Sequence, residues 1–262
     1  MTIYKSHFTE KESDITIISE SKNAITSAKQ EFYRHRADLE RYIKSNNEFQ
    51  STFSPIRVKT QSKIINLMAE GAWLCDVGPM ATVAGALADL MLEAMKTKSI
   101  SNLVPARIAL VENGGEIAVD SEKPMKIALY AGENKLNLNI GFLIEKQDCP
   151  IGIASSSAKI GHAISLGQSD VVTIFAKNAT IADGAATQVG NLVKGEDIDQ
   201  SIRIALEKID HIEGVEGALI CREDKIGYAG KLPKMFHITG EKDLILQNKF
   251  APSDPEEFEI IK

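Results

Sequence analysis

A chain of 262 residues, 44% hydrophobic and 25% charged, can bury a full core and reads as an ordinary soluble globular protein. Its 30 basic and 36 acidic residues give a formal charge of −6, so it lacks the positive field that draws proteins to nucleic acid or anionic lipid. Neither nucleic acid nor a membrane is therefore expected as a partner. The polar opening MTIYKSHFTEKESD has no apolar signal core, which makes a cytoplasmic location the expectation.

DITIIS (14–19) has the composition of a first strand, and SAKQEFYRHRADLERYIKS (27–45) places Phe32, Leu39, Tyr42 and Ile43 on roughly one face of a helix. After Pro55, residues 62–97 read as two helices broken near VGP. The second is rich in Ala and Gly, which suits a helix sandwiched in the core or one lining a site that needs close backbone approach. Its window VGPMATVAGALA is the most membrane-like stretch, but Asp76 and Asp89 bracket only twelve residues, far short of a span. Cys75 precedes it; with Cys149 and Cys221 it makes an odd, widely spaced set that reads as three reduced core thiols.

From residue 105 the period becomes that of strands. ARIALVENGGEIAVD, MKIALYAG and LNLNIGFLIE predict a meander of at least three antiparallel strands, and IGIASSSA and DVVTIFAK add two more. IDQSIRIALEKIDHI is an amphipathic helix, and GALICREDKIGYAG returns as a strand pair. These elements imply an α+β (mixed α/β) fold, forming a single domain over 1–250 or two intertwined lobes. APSDPEEFEIIK (251–262) reads as an extended acidic tail.

Four polar, Gly-rich islands interrupt this framework: DVGPMATVAG, VENGGEIAV, IASSSAKIGHAISLGQSD and ATIADGAATQVGN. Their types and order, from about Gly78 to Asn191, resemble the ApbE flavin transferases. They are closer still to an ApbE-like family carrying GPM-A-x-VAGA, ENGG-[DE]-I, [ST]SS and AD-x-AAT-x-x-GN. The resemblance implies antiparallel sheets packed with helices around a central cleft. It also implies that FAD and Mg are held there, and that the FMN half of FAD is transferred to a threonine or serine of an acceptor protein with release of AMP. Self-association is a further expectation.

The residues themselves leave alternatives open. Asp183 and Thr187 lie one helical turn apart, so a carboxylate and a hydroxyl could both reach a hard cation, with Ala185 and Ala186 leaving room beside them. Equally, Asp183 could be a helix N-cap. The resemblance implies that Asp183 and Thr187 are metal ligands and adds the backbone carbonyl near Ala81. Gly114 and Gly115 fit a hairpin turn as well as a site. The resemblance makes Asn113, Gly114, Gly115 and Glu116 part of the flavin pocket, together with Gly78. Ser155, Ser156 and Ser157 offer hydroxyls and N–H groups to a diphosphate, or form a solvated turn. His162 stands near a histidine of the transferases, which suggests a proton shuttle, but AISLG replaces the Asp-Pro that follows there. Thr82 and Leu87 stand where the transferases have a lysine and an aspartate. Three functions therefore stay in view: Mg-dependent flavin transfer, flavin or nucleotide binding without transfer, and an ApbE-like scaffold acting on an unrelated metabolite.

Overall fold

The computed structural model describes residues 1–97, 104–131, 134, 136–156, 167–239 and 259–261. The chain opens with a hairpin of β1 (Ile3–Glu10) and β2 (Ser13–Ser19). Four helices follow: α1 (Lys22–Ser45), α2 (Asn47–Ser51), α3 (Lys63–Cys75) and α4 (Val83–Lys96), with a 3-10 turn, Pro79–Thr82, leading into α4. Strands β3 (Ile108–Asn113), β4 (Glu116–Ser121), β5 (Met125–Ala128), β6 (Ile140–Ile144), β7 (Ile151–Ser156) and β8 (Val171–Ala176) come next. Then come α5 (Ala179–Leu192), α6 (Ile198–Ile209), β9 (Val215–Arg222), β10 (Lys225–Gly230), β11 (Lys234–His237) and β12 (Glu259–Ile261).

Nine strands form one antiparallel sheet in the order β10-β9-β8-β7-β4-β3-β2-β1-β12, and β11-β6-β5 form a second. The two-residue period of the strands assigns each face its own core. Ile15, Ile17, Ala109, Val111 and Ala118 pack with Phe32, Leu87 and Met91 of the helices. Ala154, Val172, Ile174, Ala218 and Ile220 do the same with Ala182, Ala185, Ile202 and Ala205. On the opposite face Leu110, Val119, Ile153, Phe175 and Leu219 meet Phe142 and Ile144 of the small sheet. The mixed α/β body with antiparallel sheets is thus as expected, in three layers: helices, large sheet, small sheet. Each large aliphatic or aromatic side chain so buried contributes roughly 1.5–3 kcal/mol.

Several expectations shift in detail. α1 begins at Lys22 rather than near 27, because Ser21 caps it by accepting the Ala24 N–H and Ala24, Ile25 and Ala28 extend the buried face. The first strand is β1, not DITIIS; its buried Lys5, Ser6 and His7 hide the strand from a hydrophobicity pattern. The run after residue 105 is not one meander: β3 and β4 join the large sheet, while β5 and β6 join the small one. Within the expected tail, residues 259–261 pair with β1. Among the described residues no single helix is long and apolar enough to cross a membrane, and α3 with α4 qualify only as a pair bent by 100°. The apolar window of α4 is core, with Ala86, Leu87, Ala88 and Met91 buried.

Candidate functional site

Helix α5 starts where three acceptors meet its free N–H groups. Asn178 accepts the Ile181 N–H at 2.9 Å. Asp89, from the middle of α4, accepts the N–H groups of Ala179 at 2.9 Å and Thr180 at 2.8 Å and the Thr180 hydroxyl at 2.5 Å. Asp183 therefore lies in the second turn and does not cap its own helix. Its carboxylate crosses to the head of α4, where Oδ2 accepts the Gly85 N–H at 2.9 Å and the Ala84 N–H adds a further bond. Each helix thus supplies a carboxylate to the first turn of the other, where unpaired N–H groups and the positive end of the dipole favour an anion.

This exchange requires the helices to touch through backbone. A Cβ on Gly85 would lie 2.2 Å from the Ala179 carbonyl oxygen and 2.9 Å from the Asp183 Cβ, which no side chain tolerates. The Ala- and Gly-rich character of both helices has its physical cause here.

The β3–β4 hairpin reaches the same place. Asn113 is buried and its Nδ2 donates to the Ala84 carbonyl at 3.2 Å, so Ala84 links the hairpin to Asp183. Gly114 (φ 74°) and Gly115 (φ 130°) make the turn, and Glu116 stands opposite Asn113 in register. A Cβ on Gly115 would be 3.9 Å from the Ser155 carbonyl, which brings the end of β7 alongside. Pleating then divides the serines. The hydroxyls of Ser155 and Thr173 are hydrogen-bonded at 2.9 Å on the small-sheet face, while Ser156 lies on the helix face beside Gly190 of α5.

The remaining expected residues are placed as follows. Gly78 packs against the segment after α2, where a Cβ would fall 2.0 Å from the Thr52 carbonyl oxygen. Ala81 sits in the 3-10 turn against the core that α5 shares. Thr187 is half-buried one turn after Asp183, and its hydroxyl forms no hydrogen bond among the described residues. Ser157 and His162 lie outside the described residues. Thr82 is fully buried, its hydroxyl facing the carbonyls of Pro79 at 2.8 Å and Met68 at 3.1 Å, and Leu87 is core.

The charge balance at the helix crossing is one-sided. Although Asp183 as a residue keeps some exposed surface, its carboxylate is enclosed. Burial pushes its carboxyl up to about 7; the N–H groups of Gly85 and Ala84 oppose the rise and the Asp89 carboxylate adds to it. Burial also raises Asp89, against the pull of Thr180 and Ala179. Neither acid forms an ion pair among the described residues. Asp89 and the Gly85 contact carry much of this geometry, although in the sequence Asp89 only marks the end of an apolar window. The available signal is a carboxylate inside the otherwise apolar run Val83–Leu92.

No group of three or more His, Cys, Asp or Glu side chains could hold a metal among the described residues. A cation here would rely on one carboxylate, a hydroxyl and backbone or ligand oxygens. That donor set is all hard oxygen and suits magnesium, which keeps several positions for water and phosphate. The un-neutralised Asp183 carboxylate and the Thr187 hydroxyl without a hydrogen bond fit such an ion.

A family model described as "AbpE bacteria" matches residues 2–211. The chain belongs to this family. Among AbpE relatives, a UPF0280 protein of Methanocaldococcus jannaschii is 36% identical over 235 residues, 88% of this chain and 93% of the relative. A UPF0280 protein of Methanococcus maripaludis is 36% identical over 253 residues, 95% of this chain and 99% of the relative. Solved structures share the AbpE fold at low identity. The flavin transferase ApbE from Vibrio cholerae aligns with TM-score 0.53 and 15% identity over 87% of this chain and 97% of that one. The apo flavinyl transferase ApbE of Pseudomonas stutzeri aligns with TM-score 0.54 and 13% identity, covering 88% and 95%.

Proposed function

We propose that the chain binds FAD with Mg at the crossing of α4 and α5 and serves the transfer of FMN to an acceptor protein. The observation that carries this reading is the Asp183 carboxylate: held by two N–H groups, without a cationic side chain, one turn from the Thr187 hydroxyl. Asp183 and Thr187, with the Ala81 carbonyl, would hold the ion, which when bound supplies Lewis-acid polarisation of a pyrophosphate oxygen. Asn113 and the head of α4 fix the Asp183 orientation through Ala84, and Gly114 and Gly115 leave backbone open beside the site. Glu116 and Ser156 offer polar contacts to the flavin nucleotide. The likeness in fold to flavin transferases supports the ligand class.

One observation favours a second reading, binding without transfer. Thr82 and Leu87, at the positions where the transferases carry a lysine and an aspartate, are both buried and offer no polar group to a ligand.

Calorimetric titration of FAD into wild type, Asp183→Asn and Thr187→Val, each with and without Mg, tests the site. Mg-dependent binding in wild type alone is the expected result, and equal affinities in every titration would remove the cation site. Release of AMP from FAD on adding a threonine-bearing acceptor separates transfer from binding alone.

A further inference from the structure

The free end of the large sheet carries a surface remote in sequence from the candidate flavin site and independent of that reading. β10 is the last strand at one end of the sheet and pairs only with β9 among the described residues; at the other end the three-residue β12 lies on β1. An edge strand presents a row of unpaired N–H and C=O groups, and proteins commonly blunt it with proline, bulges or a covering element. β10 (KIGYAG) has no proline, pairs without a bulge, and leaves Ile226 and Tyr228 52% and 68% exposed.

Helix α6 borders this edge. A groove of ≈ 350 Å³ runs between them, with Ile202, Leu206, Ile226 and Ala229 among its apolar lining and Arg203 and Glu207 among its charged one. α6 straddles the last two strands: Ile202, Ala205 and Ile209 share a core with Ala218 and Ile220 of β9, and Ile202 and Leu206 lie over Gly227 of β10.

We propose that this edge is the interface of a symmetric dimer, in which β10 pairs antiparallel with β10 of a second copy and the sheet continues through both. The spacing of the elements fits. Strands lie about 4.8 Å apart, so two α6 helices, each straddling β9 and β10 of its own copy, come about 10 Å apart, which is the upper end of helix packing distances. The charges fit as well. A two-fold axis between the two β10 strands, level with Gly227 and Tyr228, passes abreast of Ile202 and Leu206. It sets Arg203 of one copy against Glu207 of the other, and symmetry forms the pair twice. Within one chain neither side chain has an ion-pair partner among the described residues, while the neighbouring Asp199 is taken by Lys225 at 3.7 Å. The groove then becomes the seam between the helices.

Sedimentation equilibrium of the full chain, without FAD or Mg, tests the proposal independently of the flavin site. Wild type is expected to dimerise. Arg203→Glu and Glu207→Arg should each weaken the dimer at least about tenfold, because each sets like charges opposite one another twice. The double variant R203E/E207R should restore it. Both positions are exposed, so unchanged melting of each variant at low concentration verifies the fold. A wild type that stays monomeric up to roughly 100 µM, the weak end of specific association, overturns the proposal and leaves the edge to a strand from another protein. A dimer indifferent to both reversals, or one that the double variant fails to restore, overturns it too.

Discussion

Replacing Asp183 by asparagine should stabilise the metal-free protein at alkaline pH. Native Asp183 holds its proton up to about 7, while in the unfolded chain the group ionises near 3.8. Between these values the native state binds the extra proton, so the stability drawn from this group is greatest below about pH 4, declines as pH rises, and levels off above 7. At ~1.4 kcal/mol per pH unit, the interval corresponds to at most roughly 4 kcal/mol. Partial solvent access at the residue trims this, and we expect about 2–4 kcal/mol. Asparagine resembles the protonated acid: its carbonyl still accepts the Gly85 N–H, and it carries no charge to bury. At pH 3, below both values, the variant should match wild type. At pH 8 it should melt about 5–10 °C higher, by the usual conversion for chains of this size. Adding Mg at pH 8 should raise the melting temperature of wild type and leave the variant unchanged, since only the carboxylate gains a cation. Thermal melts at both pH values, with and without Mg, provide the assay. A variant less stable than wild type at pH 8 without Mg would show that the charge is not a burden, and the reasoning about an un-neutralised carboxylate would fail.

The helix crossing makes a steric prediction as well. Gly85→Ala should cost about 3 kcal/mol in denaturant melts, since its Cβ would meet the Ala179 backbone at 2.2 Å and the helices must separate; a cost below about 1 kcal/mol would mean that the contact is not tight. Thiol reactivity gives another. Cys75 and Cys221 are buried and their thiols are pushed up to about 12, whereas Cys149 is only half-buried, so a thiol reagent at pH 8 should label Cys149 first and the other two only on unfolding. Rapid labelling of all three in native protein would contradict the packing around α3 and β9.

The sequence by itself determined what depends on near neighbours. The i,i+4 spacing of Asp183 and Thr187 puts both on one helix face, Gly114 and Gly115 make the hairpin turn, and the small residues of α4 and α5 signal close backbone approach. Those features need only 3.6- and 2-residue periods and the steric freedom of glycine, and they were legible without coordinates. Partner choice between distant segments was not. β3 to β6 have similar apolar patterns, yet the chain sends β3 and β4 to one sheet and β5 and β6 to the other, and the polar β1 becomes a strand because it can pair with β2. From sequence Asp183 reads as a cation ligand or a cap for its own helix, and its carboxylate serves the head of α4, while Asp89 reads as the end of an apolar window and serves the head of α5. A carboxylate finds whichever unpaired N–H groups the packed chain brings near it, and here Asp183 and Gly85, separated by 98 residues in sequence, are joined only by the packing of the two helices.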